Sequence, residues 1–268
     1  MDLAGILLAL VGVLLLLIVV ADFLLVTISA AFFEVPSHRI ASSMWRLVSW
    51  ALPDRRWVRV CIGPVVMTSV ASYWIIGTAL AWTLIFQLQS RAIVRSADEA
   101  PAAWWMDMAY VGHLLSTLGG SLGKPGDVGW ALAAVLVAVN GMVILTLSVS
   151  FVLNTTQAVS QGRAFLTTAE LLDGRVADTP GTLADLATLI VRLNSVPMAL
   201  YYSSPFETRR LPRGLVTLFR GAVERGDAQA IRAWRIALAE LPRFYPPDGL
   251  DDHAYLDALE RWSQQFEF

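Results

Sequence analysis

The chain has 268 residues, a mean hydropathy of +0.58, 16% charged residues and a formal net charge of −2. It is too apolar for an ordinary soluble domain of that length. A near-neutral balance offers no basic footprint for nucleic acid, the lone Cys61 excludes an intrachain disulfide, and His38, His113 and His253 are scattered without ligand spacing. No cofactor, metal centre or nucleic-acid partner is expected.

The charge is unevenly placed. Residues 154–268 hold 12 arginines and 14 acids, whereas residues 1–153 carry most of the apolar excess. The sequence therefore divides into an apolar part and a near-neutral soluble module. Four segments are expected: an N-terminal transmembrane helix (1–33), a cytoplasmic linker (34–62), a second apolar region (63–153) and a cytoplasmic helical domain (154–268).

The first apolar run, Leu3 to Val20, has no charge for 18 residues. That is enough to cross most of a hydrocarbon core about 30 Å thick at about 1.5 Å per residue. The run opens with Asp2 rather than a basic region and continues into Phe23–Phe33 without a clear cleavage site, so it reads as a retained helix rather than a signal peptide. Asp22 follows these eighteen residues, and capping or pairing with Arg39 or Arg46 at the membrane interface is expected of it. A second run, Val65 to Leu88, follows Gly63-Pro64, where proline suits the first helical turn, and carries Trp74 and Trp82. The third, Val128 to Leu153, has no charge for 26 residues.

Between the second and third runs, Trp104 to Thr117 is helix-like but too short to cross. A re-entrant helix and loop is expected there, because non-helical backbone at membrane depth must be buried in protein or line water. The fold class is thus an all-α membrane protein with three transmembrane helices, a re-entrant pore helix and loop, and a helical cytoplasmic domain. Arg39, Arg46, Arg55, Arg56 and Arg59 in the first loop outweigh Arg91 and Arg95 in the second. This bias places the first loop and the C-terminal region in the cytoplasm and the N-terminus outside. The expected location is the inner (plasma) membrane. Trp104 and Trp105 then fall at the outer interface or in helix packing.

The soluble module carries helical stripes. Thr182 to Asp185 resembles a capping box opening a helix with Leu183, Leu186, Ile190 and Leu193 on one face. Ile231, Trp234, Leu238 and Leu241 repeat the pattern, and a last helix after Asp251-Asp252 presents Tyr255, Leu259, Trp262 and Phe266. Such stripes form core or a subunit interface. No phosphate loop, dinucleotide fingerprint or cluster of ionisable residues points to an enzyme.

Residues 116–120, STLGG, sit between the second and third runs. Together with the order of segments, the Gly63-Pro64 entry to a Trp-bearing helix and the following helix with Gly141 and LTLSVSFVLNTTQAVS, they resemble the bacterial potassium-channel-like pore-loop family. The resemblance covers roughly residues 1–175. It implies a homotetramer in the lipid bilayer, because one pore loop per chain cannot close a ring. It also implies monovalent cations, K⁺ or Na⁺, as permeant ions, a filter at Thr117, Leu118, Gly119, Gly120 and Ser121, and a gate hinge at Gly141. At Gly141 the alternative is close helix packing through a small residue.

The loop departs from the family pattern of threonine, aliphatic, glycine, aromatic, glycine, aspartate. Gly120 stands for the aromatic, Ser121 for the second glycine and Leu122 for the aspartate. A second register uses Gly123 as the second glycine and leaves Lys124 at the pore mouth, with Asp127 three residues on; which of the two charges faces the axis is left open. The first register implies weak selectivity, and in the second four lysines oppose cation entry. The alternative function is a non-conducting or regulatory membrane scaffold derived from a channel fold.

Overall fold

The structure is a computed structural model that describes residues 2–28, 35–51, 56–118, 123–171, 180–204, 206 and 209–266. The chain is an all-α membrane protein. Three helices are long and apolar enough to cross a membrane: α1 (Leu3–Ile28), α3 (Arg56–Phe86) and α5 (Val128–Leu171). Around them stand α2 (Pro36–Ala51), α4 (Trp104–Leu115), α6 (Pro180–Ser195), α7 (Leu211–Arg225), α8 (Ala228–Leu238) and α9 (Asp252–Gln264). Two three-residue strands, β1 (Ile93–Arg95) and β2 (Gly123–Pro125), and a short 3-10 helix, Pro197–Tyr201, complete the described elements.

The chain forms two compact units. One comprises residues 1–24 and 70–151, the other residues 25–69 and 152–268. Residues 34–62 fall in the second of these.

In the first unit, α1 lies close against α3. A Cβ on Gly12 would sit 2.7 Å from the Ala81 carbonyl oxygen, so only glycine permits this approach. Trp74 of α3 is fully buried and donates its indole N–H to Asp22 Oδ2 at 2.7 Å. Phe23 and Phe151 meet the same indole edge-on, with ring centroids at 4.8 and 5.1 Å. Asp22 therefore has a partner 52 residues away that the sequence did not suggest. The indole is thus one hydrogen-bond donor to a buried acidic side chain.

In the second unit, helix α3 starts at Arg56, so Pro64 lies inside the helix rather than at its first turn. The missing N–H costs one helical bond. Thr68 Oγ1 donates to the Pro64 carbonyl at 2.9 Å, and Gly63 is covered by the Tyr202 ring. Helix α6 likewise opens at Pro180, which leaves Thr182 buried within it and not at a cap. Leu186, Ile190 and Leu193 are buried as their spacing requires. Asp227 and Asp251 cap α8 and α9, accepting from Ala230 N at 3.0 Å and Ala254 N at 2.7 Å. Phe219, Trp234, Phe244, Tyr255, Trp262 and Phe266 join the α7, α8 and α9 stripes into one aromatic core.

Candidate functional site

Helix α4 has 12 residues, too few to cross a bilayer. Its ends show which way it runs. Near its start, Gln87 Nε2, just past the end of α3, donates to Asp107 Oδ2 at 2.6 Å. Tyr110 then packs against Phe86 with ring centroids at 6.3 Å. At its other end, Leu115 and Ser116 share an apolar cavity of about 300 Å³ with Thr78 of α3 and Gly141 and Ile144 of α5. Thr78 lies eight residues, roughly 12 Å, back along α3 from Phe86. The chain leaves α3 and then descends beside it.

The second wall is α5. Its first turn is held at the same end as Gln87, since Trp130 Nε1 donates to Gln89 Oε1 at 3.0 Å and the Trp130 ring lies 5.4 Å from Phe86. Gly141, roughly 17 Å beyond Trp130 along α5, faces the end of α4. Trp82, Phe86, Tyr110, Val111, Leu115 and Val137 form the core between α3, α4 and α5. Trp82 Nε1 adds a long bond to Asn140 Oδ1 at 3.4 Å.

The chain returns through β2, which pairs antiparallel with β1 in the register Ile93↔Pro125, Val94↔Lys124, Arg95↔Gly123. Gly126 N donates to the Ala92 carbonyl at 2.9 Å and closes that pairing. Helix α4 thus runs back along α3, and β2 lies again beside the segment that follows α3; residues 119–122, which join the two, lie outside the described residues.

The expected filter residues are reached in part. Thr117 and Leu118 follow α4 directly and are exposed, Leu118 to 77%. Thr117 has φ of +61°, a left-handed conformation that is an outlier for a β-branched residue. Gly119, Gly120 and Ser121 lie outside the described residues.

The expected pore-mouth charges have partners of their own. Lys124 Nζ donates to Glu99 Oε1 at 2.5 Å, so the carboxylate that offsets this lysine comes from the turn after β1 rather than from Asp127. The Lys124 hydrogen bond and charge hold the Glu99 carboxyl below the usual range. Asp127 instead caps α5, with Oδ1 accepting from Trp130 N at 3.0 Å.

Helix α5 is continuous through Gly141. A Cβ there would lie 2.5 Å from the Leu115 carbonyl oxygen and 2.6 Å from Leu115 Cα. Gly141 thus lets α5 approach the end of α4 closely. Trp104 and Trp105 are exposed, to 65% and 56%. Glu99, Gln87 and Asp107 were missed by sequence reasoning. Asp107 in the first turn of a short apolar helix was the available signal, because an acid there complements the helix dipole. No group of three His, Cys, Asp or Glu side chains suited to a metal ion occurs among the described residues.

Among known proteins, a region of 156 residues, 58% of this chain, is 27% identical to a Bacillus subtilis (strain 168) protein described as the uncharacterized membrane protein YdjJ. The match covers 46% of that relative, so this chain spans less than half its length. No protein-family model matches the chain. No solved structure matches it. The likeness to a membrane protein and the three long apolar helices agree that this is a membrane protein.

Proposed function

We propose that the chain is one subunit of a tetrameric potassium-channel-like cation channel in the plasma membrane, with its N-terminus outside and its C-terminal helices in the cytoplasm. The observation that carries this reading is the descent of α4 between α3 and α5 to an exposed turn at Ser116–Leu118. A short helix spent on delivering three polar or exposed residues to that depth suits a pathway that four copies complete. Monovalent cations pass along Thr117, Leu118, Gly119, Gly120 and Ser121, and the absent aromatic and second glycine make K⁺ and Na⁺ poorly distinguished.

The same departures favour a second reading, a non-conducting membrane scaffold derived from a channel fold. Ion flux into liposomes containing the purified full-length protein separates the two. Conduction with bi-ionic reversal potentials near zero is expected, and Gly119→Val should abolish it. A folded, tetrameric protein without flux establishes the scaffold, and a strong potassium preference overturns the weak selectivity.

A further inference from the structure

We propose that one face of α2, bearing Arg39, Arg46, Leu47 and Trp50, docks on the headgroup layer of the bilayer that α1 and α3 cross, with a preference for anionic lipid. The helix has two faces. Ser37, His38 and Ala41 are buried, and α2 packs there against the 3-10 helix Pro197–Tyr201. Half a turn away, residues spaced by three and four, Arg39, Ser43, Arg46, Leu47 and Trp50, are exposed. By helical period the two arginines run along one edge of that face, Leu47 along the other, and Trp50 lies between them.

Trp50 is 81% exposed and Leu47 54%. Two large apolar side chains one turn apart, facing away from their own unit, call for a covering surface. Chain length supplies it. Only residues 29–35 separate α2 from the end of α1, and only residues 52–55 separate it from the start of α3. Five peptide links from Ala51 to Arg56 reach at most roughly 17 Å. A helix of 16 residues, roughly 24 Å long, is thus tied at both ends to spans entering the same membrane surface.

The shorter tether is at the end that carries Leu47 and Trp50. Tryptophan settles at the level of lipid headgroups, arginines are drawn to anionic lipid, and a helix with both features lies in the interface plane. The short tethers keep α2 near the bilayer surface.

The test uses the full-length protein in nanodiscs of phosphatidylcholine with or without phosphatidylglycerol. Cys61, the only cysteine, is replaced by serine, and a nitroxide is placed at Leu47→Cys. Oxygen should reach the label more readily than a water-soluble nickel chelate. Adding phosphatidylglycerol should raise the docked fraction, and Arg46→Gln should lower the docked-to-undocked ratio about fivefold, the effect of one charge near an anionic surface. Brominated lipid should quench the fluorescence component that Trp50→Phe removes. Free access of the nickel chelate in both lipids overturns the docking. Protection from both reagents with dipolar broadening between labels overturns it in favour of a subunit contact. Equal docking in the two lipids overturns the anionic preference.

Discussion

Gly141 on α5 lies against the backbone at the end of α4, where an added Cβ would meet the Leu115 carbonyl oxygen at 2.5 Å. A carbonyl cannot rotate aside as a side-chain tip can, so accommodation requires one helix to move. The two roles considered for this glycine predict opposite signs for Gly141→Ala. A hinge in open space would gain about 1 kcal/mol of helix propensity from alanine. A packed contact loses about 1–3 kcal/mol to overpacking, which outweighs that gain. Melting of the detergent-solubilised variant below the parent is expected, and a higher melting temperature would return Gly141 to the hinge role.

The bond between Trp74 Nε1 and Asp22 Oδ2 makes a second prediction. Trp74→Phe removes the donor and leaves a buried carboxylate short of one bond, at a cost of about 1–3 kcal/mol besides the lost ring volume. Asp22→Asn keeps an oxygen that can accept from the indole and should cost distinctly less. Thermal melting of both variants, with Trp74→Phe combined with Asp22→Asn to close the cycle, isolates the pair. Additive effects of the two changes would mean that the hydrogen bond contributes nothing of its own.

What could be read from the sequence follows the range of the interactions involved. Apolar runs located α1, α3 and α5 because a membrane span is a local property of about 20 residues, and the shortness of Trp104–Thr117 distinguished α4 from them. The stripes through Trp234 and Trp262 survived because helical period and burial are coupled. Strands β1 and β2 did not show, since three residues that include Lys124 and Pro125 give no alternation to detect. Asp22 with Trp74 and Lys124 with Glu99 join residues 52 and 25 positions apart, and nothing local links such pairs. Asp127 is the instructive case. An acid immediately before an apolar run is a helix-cap signal, and Asp127 fulfils it at the start of α5.

The Lys124–Glu99 pair is exposed on both sides, so Glu99→Gln should leave the melting temperature within error of the parent. Its effect belongs to conduction. Because Lys124 lowers the Glu99 pKa, the carboxylate stays ionised through the neutral range, and its neutralisation of the lysine is lost only as pH falls through that lowered value. In a conducting tetramer, Glu99→Gln exposes four positive charges at the mouth and should reduce cation current at low ionic strength. The deficit should shrink as the Debye length falls from about 30 Å at 0.01 M salt to about 8 Å at physiological strength. A current that does not respond to Glu99→Gln at low salt would place Lys124 away from the ion path.

Thr117 joins strain to the proposed pathway. Its φ of +61° puts a β-branched side chain in the left-handed region, which costs about 1–2 kcal/mol. The Thr117 N–H donates to the Leu114 carbonyl at 3.1 Å and Leu118 N–H to His113 at 3.0 Å, so the end of α4 holds this conformation in place. Thr117→Gly removes the steric penalty and adds about 0.5–1 kcal/mol of unfolded-state entropy. Its melting temperature should therefore equal or slightly exceed that of the parent. Flux should fall all the same, because the threonine hydroxyl and the fixed direction of the turn are lost together. Thr117→Asn, which tolerates the left-handed region and keeps a polar side chain, should retain more flux than Thr117→Gly. If both variants conduct like the parent while remaining folded tetramers, the turn after α4 is a helix terminus only, and the ion path must be sought elsewhere along α5.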